Sequence, residues 1–410
     1  MNENTNNLLW QLNPAACEPP PQGILNDFRV VLRGNLPVAG KPSNAGSKAL
    51  ENFMPIEDAA VVKRLKNHGA WLAGMSQMSE LGFGITKDTA HRLIGEKQCN
   101  AFLGTESAGE IRYLAAMAGA WGYKPSSGIC SNLGAVTLLP SMECIGVIAE
   151  TPAAVASILF AVSGKEDRDF SMLWDNLPVF PAKGDKSPGS GTAGPPIKVG
   201  VIAEQIAGLD EADKNAFEKT VSGLVQKGIP VTEVSFPDYD LFRTVHQVIG
   251  SVEASSSAGK YDGVRYGHRA SNTDNWNDMY LKTRQASFGT LIKAYLFQGA
   301  FFQFENYPAF EQAARLRNLL FQKTGALFED IDFIASPLRI SGFDATRAQS
   351  VDDVYDALVH ALPANVLGLP ALCAPGMTRT DDRDLGLQIM APHLADEKLL
   401  NFAAQYLTAS

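Results

Sequence analysis

Six histidines, at positions 68, 91, 246, 268, 360 and 393, are scattered without the short spacings that let imidazoles share a metal ion. Five cysteines, at 17, 99, 130, 144 and 373, form no CxxC pair. Their odd count and wide separation suit reduced core thiols of a cytoplasmic protein. Neither a metal site nor a cofactor is therefore expected. Gly189-Ser-Gly-Thr-Ala-Gly194 has the form GxGxxG, yet Pro195 and Pro196 follow it and no strand pattern precedes it. A dinucleotide fingerprint must link a strand to a helix, so this run reads as linker. The segment that concentrates chemistry is Leu103-Gly-Thr-Glu-Ser-Ala-Gly-Glu-Ile-Arg112. A carboxylate such as Glu110, set among small residues, has the chemistry of a general acid or base.

The surrounding pattern alternates strands and helices, the rhythm of an α/β fold. Arg29-Val-Val-Leu32 and Trp71–Met75 read as strands, with a helix between them from about Ile56 and Gly69 at its C-cap position. Ala115–Tyr123 and Pro152–Val162 read as tightly packed helices, and Ile197–Ile202 and Val231–Phe236 as strands around a helix over Glu211–Gln226. A Phe- and Leu-rich helical stretch runs from about Phe288 to Phe328, its Phe301–Glu305 portion reading as helix core. Ile331–Ala335 is a strand, and the last strands and a helix close the chain. The organisation expected is a polar arm at 1–22, a first core part at 23–182, a linker at 183–196 and a second part at 197–410 with a helical excursion at about 240–330.

Composition narrows the function classes. With 35 Lys+Arg against 44 Asp+Glu the formal charge is −9, which disfavours a nucleic-acid partner. No basic n-region with an apolar h-region opens the chain, and Cys144–Val162 is broken by Glu150 and Pro152, so neither a secretory signal nor a membrane association is expected. A small-molecule substrate is the expected partner, with a homodimer or a place as a hetero-subunit left open.

The Leu103–Arg112 segment, followed by the small-residue run to Gly128, resembles the core of the amidase-signature family, LGTDTGGSIR and then GLKPTYG. Val38-Ala-Gly-Lys-Pro-Ser-Asn-Ala-Gly-Ser47, Gly74-Met-Ser-Gln-Met-Ser-Glu80 and Pro140-Ser-Met-Glu-Cys-Ile-Gly146 are similar to further motifs of that family. The second half, with Tyr261-Asp-Gly-Val-Arg-Tyr-Gly-His-Arg269 and Pro363-Ala-Asn-Val-Leu-Gly-Leu-Pro370, looks like its amidotransferase members. The resemblance implies a mixed, mostly parallel central sheet flanked by helices.

It also implies where the chemistry should lie. The family's nucleophilic Ser falls on Glu110, its basic Lys on Arg33, and its Ser-bearing relay loop on the short segment 85–102. Arg stays protonated and cannot replace a neutral Lys as base. Loss of the triad, and with it of conventional amidase activity, is therefore the expectation. Glu110 and Arg33 should face each other as catalytic residues, with Ser107, Ala108, Gly109, Gln77 and Cys144 around the substrate. Arg112 and Glu143 are read as scaffold, and Thr86 and Lys87 have no place assigned. An Asp that helps the family's amidotransferases hold the amino group of glutamine falls on Leu358, which argues against free glutamine. Two readings follow. In one, Glu110 moves a proton in a non-hydrolytic step such as elimination, isomerisation or cyclisation, as in a lyase or isomerase. In the other, Glu110 and Arg33 are a structural ion pair in a pseudoamidase that serves as a partner or regulatory subunit.

Overall fold

A computed structural model of the chain describes residues 8–11, 22–173, 178, 180, 197–377 and 384–408. The linker at 183–196, with its GxGxxG run, lies outside the described residues, as does most of the arm. The strands are β1 (Leu8–Gln11), β2 (Arg29–Arg33), β3 (Trp71–Ser76), β4 (Ala101–Glu106), β5 (Trp121–Lys124), β6 (Cys144–Ala149), β7 (Val199–Ile202), β8 (Val231–Val234), β9 (Phe333–Pro337), β10 (Ala371–Ala374) and β11 (Leu387–Met390). They form one sheet in the order β1-β3-β2-β4-β6-β5-β10-β11-β9-β7-β8. The part of the arm that is described, β1, pairs antiparallel with β3 and covers that edge.

Parallel pairing, expected to dominate, is confined to the flanks: β2 with β3 and β4, and β7 with β8 and β9. From β4 through β6, β5, β10 and β11 to β9 every pairing is antiparallel. The reason is the connections. β5 reaches β6, and β10 reaches β11, without a crossover helix, and parallel neighbours require one.

Helices α1 (Ala60–Asn67), α2 (Ala90–Gly95), α3 (Glu110–Ala118), α4 (Pro152–Val162), α5 (Ala203–Ala207) and α6 (Glu211–Gln226) belong to the first part and the β7–β8 crossover. Then come α7 (Leu241–Ser257), α8 (Trp276–Ser287), α9 (Thr290–Ala300), α10 (Tyr307–Asp330), α11 (Val351–Leu358), α12 (Leu362–Leu367) and α13 (Asp396–Phe402). Strand alternation divides the interior into two cores. Val31 and Phe102 face one that includes Leu93 of α2, Leu114 of α3, Ile249 of α7 and Leu320 of α10. Val30, Leu32 and Leu103 face the other, with Leu65 of α1, Leu159 of α4, Phe217 of α6 and Leu399 of α13. Among the described residues no helix is long and apolar enough to cross a membrane.

One pair of glycines positions α3. Gly104 of β4 and Gly146 of β6 are register partners. A Cβ on either would meet Ile111 of α3 at 2.9 Å. Their bare backbone forms a trough, and α3 lies in it with its N-terminus at the end of β4.

Candidate active site

The loop between β4 and α3 is a tight turn. Gly109 has φ +108° and caps α3. A Cβ there would approach that of Ala361 to 2.1 Å, so only Gly fits. Glu110, the first residue of α3, folds back on this turn. One carboxylate oxygen accepts the N–H of Ser107 at 2.8 Å and of Ala108 at 2.9 Å. The other accepts the Ser107 hydroxyl at 3.0 Å. An anion at a helix N-terminus is favoured by the helix dipole. Ser107 is 4% exposed and Glu110 0%. Burial pushes the Glu110 carboxyl above its ordinary value, against the opposing pull of the Arg33 charge and the Ala108 N–H.

Arg33 does not pair with Glu110. Its Nε and Nη2 donate to the two oxygens of Asp88 at 2.8 and 3.0 Å, its Nη1 to the Thr105 carbonyl at 2.7 Å, and Nη2 also to that of Gly84 at 3.1 Å. Asp88 in turn accepts the Ser79 N–H at 3.0 Å. The expected facing pair of Glu110 and Arg33 is thus corrected: Asp88, from the short segment before α2, occupies the guanidinium in a bidentate pair. Arg33 reaches Glu110 through its field and through the loop it holds.

Around this centre lie two more polar groups. Arg112 donates to Glu106 through Nε at 2.9 Å and Nη2 at 2.7 Å, and to Asn365 at 2.6 Å; its Nη1 donates to Gln388. Glu143 accepts the Thr105 hydroxyl and the N–H of Leu138 at 2.8 Å. These anchors fit the scaffold role expected for Arg112 and Glu143. Ser107, Ala108 and Gly109 are together at the turn. Gln77, after β3, is exposed in the wall of a neighbouring cavity and stands apart from it. Cys144 is buried where β6 pairs with Glu106, and burial pushes its thiol up to about 12. A thiol held so firmly protonated is a poor nucleophile. Cys99, Cys130 and Cys373 are also free and buried. In a Cys17→Ser background we expect none of the four to react with a disulfide reagent at pH 8 until the protein is unfolded; rapid labelling of native Cys144 would refute its protection.

Sequence reading misses Asp88 and His246. Asp88 sits in the segment with no readable placement, although a buried Arg33 demands a carboxylate. His246, on α7, is 139 residues from Ser107, whose carbonyl oxygen it meets through Nε2 at 2.8 Å. A carbonyl only accepts, so Nε2 carries the proton and Nδ1 accepts from Tyr355, at 2.9 Å. The Tyr355 oxygen then accepts from Tyr295, also at 2.9 Å. Nothing in the local sequence around His246 announces this chain of hydroxyls.

Burial pushes His246 down to about 4. An unfolded His titrates near 6.5, so between these values the unfolded chain binds a proton that the folded one does not. Stability therefore rises with pH through that window and is lost as pH falls from about 6.5 to about 4, by roughly 3 kcal/mol for this group. Nitrogen chemical shifts should show a neutral His246 ring, protonated at Nε2, at pH 5.5; a charged ring there would contradict the geometry.

The site is thus framed by one mixed sheet, with the turn at the end of β4 and α3 lying across β4 and β6. The chain belongs to the Amidase family, which it matches over residues 14–92 and 90–400. The A subunit of the glutamyl-tRNA(Gln) amidotransferase from Natronomonas pharaonis is 29% identical over 411 residues, covering 93% of this chain and 96% of that protein. The crystal structure of the corresponding Thermotoga maritima protein superimposes with a TM-score of 0.77 at 21% identity, covering 96% of this chain and 85% of that one. A peptide amidase from Stenotrophomonas maltophilia gives 0.72 at 19% identity, over 94% and 82%.

These likenesses overturn two expectations drawn from Glu110 and Arg33. Relatives that match the chain almost end to end are named as amidotransferase subunits, against a non-hydrolytic lyase or isomerase and against a pseudoenzyme. The same finding overturns the expected absence of conventional amidase chemistry. That expectation gives three positions more weight than the whole chain, and the complementary Glu110–Arg33 pair that motivated the lyase or isomerase reading is not met, since Arg33 serves Asp88.

Proposed function

We propose that this chain is an amide-processing enzyme that takes nitrogen from a carboxamide, acting within an amidotransferase-type assembly in the cytoplasm. The observation that carries this reading is the 29% identity that spans 93% of this chain and 96% of a relative named as part of such an enzyme. The geometry of the β4–α3 turn supports it. Ser107 is the hydroxyl nucleophile and Glu110 the base that its proton already points to. A carboxyl lifted by burial is a stronger base than an exposed one. Ser107 Oγ attacks the carboxamide carbon while Glu110 takes the hydroxyl proton. Glu110 then returns that proton to the nitrogen, which leaves as ammonia, and water releases the acyl group from Ser107. The Ala108 N–H is engaged by Glu110, which leaves the Gly109 N–H to receive the developing oxyanion. Arg33, oriented by Asp88, donates to the Thr105 carbonyl and so holds the start of the turn. Cys144 packs against the site without reacting.

The test is ammonia release by the purified protein from glutamine, asparagine and a panel of simple carboxamides. Release that disappears in Ser107→Ala is expected. No release from any member of the panel would overturn the proposal.

A further inference from the structure

The proposed chemistry leaves one buried titratable side chain beside the turn without a task. His246 of α7 donates from Nε2 to the Ser107 carbonyl at 2.8 Å, and behind it stand Tyr355 of α11 and Tyr295 of α9, each linked to the next at 2.9 Å. All three side chains are buried. The Ser107 carbonyl belongs to the peptide unit that joins Ser107 to Ala108. The other edge of that unit, the Ala108 N–H, donates to Glu110 at 2.9 Å. A peptide unit is planar. With His246 on its oxygen and Glu110 on its nitrogen, it cannot rotate without breaking one bond or the other.

Three observations show that the imidazole is held for this contact. The first is the direction of the hydrogen bonds. Burial, and after it the neighbouring phenol and the Glu110 charge, push the Tyr355 hydroxyl well above its ordinary value, so it keeps the proton that it offers to Nδ1. Nε2 is then the protonated nitrogen, with the Ser107 carbonyl as its acceptor. The second is packing. Tyr295 stacks on Phe83 with ring centroids 4.2 Å apart, and His246 meets the Tyr355 ring edge-on at 5.5 Å. Gly250, one turn beyond His246 on α7, makes room for the Tyr295 hydroxyl, with which a Cβ would collide. The third is the tie between helices. Arg243, one turn before His246, pairs with Asp352 at 3.2 Å and with Asp356, so α7 is fixed to α11 by the residues that flank Tyr355.

We propose that His246 is a positioning residue for the amide chemistry: by gripping the Ser107 carbonyl it keeps the Ser107 hydroxyl aimed at Glu110, and Tyr355 and Tyr295 hold it in the one tautomer that can do so. It acts through the peptide and moves no proton of the reaction. Its loss leaves a buried carbonyl without that donor and gives the turn a rotation that carries the hydroxyl off the carboxylate. A misplacement of about 1 Å in a reacting group costs up to about 10²-fold in rate. The proposal rests on the amide-processing reading and adds a residue to it.

Ammonia release and backbone hydrogen exchange, measured on His246→Leu, His246→Gln and Tyr355→Phe beside the wild type, test this. A Gln amide can place a donor where Nε2 stands, and a Leu side chain cannot. His246→Leu is expected to lower kcat about 10–100-fold with KM within about 2-fold, and His246→Gln to bring kcat back to within about 5-fold of wild type. Tyr355→Phe, which frees the tautomer but keeps the ring, should fall between them. Exchange over residues 104–110 should quicken about 10-fold in His246→Leu and slow again in His246→Gln, with β6 unchanged. A wild-type kcat in His246→Leu, an equal loss in His246→Leu and His246→Gln, or exchange that quickens over β6 as much as over the turn overturns the assignment. Exchange is read without turnover, so the two proposals fail separately. Quickening confined to the turn, with no ammonia release from any of the proteins, would retain the grip of His246 and refute the amide chemistry. Ammonia release indifferent to all three substitutions would do the reverse.

Discussion

Glu110→Gln is expected to lower ammonia release by a factor of about 10²–10⁴, the usual contribution of a positioned general base. The substitution keeps the shape of the turn. The amide oxygen can still accept from the Ser107 and Ala108 N–H groups, now at 2.8 and 2.9 Å. What it removes is the acceptor for the Ser107 proton. Ser107→Ala should take activity to background, and the double variant should be no worse than Ser107→Ala alone, because the two residues act on one proton. Circular dichroism should show all three folded. Ammonia release within threefold of wild type in Glu110→Gln would remove the carboxylate from the mechanism and move the base elsewhere.

Arg33→Met is expected to cost about 3–5 kcal/mol of stability, since it leaves a buried Asp88 carboxylate with no guanidinium. Both side chains are 0% exposed, so water cannot take over the lost partner. The Thr105 and Gly84 carbonyls lose a donor as well. Adding Asp88→Leu to Arg33→Met should recover a substantial part of the loss, because removing both charges is far cheaper than stranding one. Urea midpoints of the two variants beside the parent measure this. An Arg33→Met midpoint equal to the parent's would mean that the pair is hydrated and that Arg33 does not anchor the turn.

How far the sequence carries the fold depends on local signals. The starts of Pro152–Val162 and Glu211–Gln226 are legible, because Thr151 and Asp210 cap them and Pro152 opens the first. Ala115–Tyr123 reads as one helix, yet α3 starts earlier, at Glu110, and stops at Ala118. Gly119 turns left-handed at φ +61° and sends Trp121–Lys124 into the sheet as β5. Small residues obscure that break, since Ala and Gly suit a packed helix as well as a strand among close neighbours. The Phe301–Glu305 run is a π-turn without a buried residue, where the pattern predicts a helix core. Its composition alone does not say which face is covered.

The site divides in the same way. Ser107, Ala108, Gly109 and Glu110 lie in one short stretch, so motif and spacing find them together. His246 reaches the turn from a helix 139 residues further on, and Asp88 meets Arg33 across 55 residues, contacts that leave no local pattern. The Glu110–Arg33 pairing fails for a related reason. Opposite charges at two family positions suggest proximity, but Asp88 competes for the same guanidinium with better geometry, two hydrogen bonds at 2.8 and 3.0 Å.

The reach of Arg112 bears on how the protein is made. Its guanidinium bonds to Asn365 and Gln388, 253 and 276 residues further on. At about 5–20 residues per second, translation delivers Gln388 roughly 14–55 s after Arg112. Throughout that interval the nascent chain holds β2, β4 and α3 but not β10 and β11, the strands that join the two halves of the sheet. The trough under α3 can form early, yet the polar centre above it stays open to water until the last fifth of the chain arrives. A ribosome-bound amino-terminal half should therefore be protease-sensitive and a ready client for chaperones, and the centre should close in one late, cooperative step.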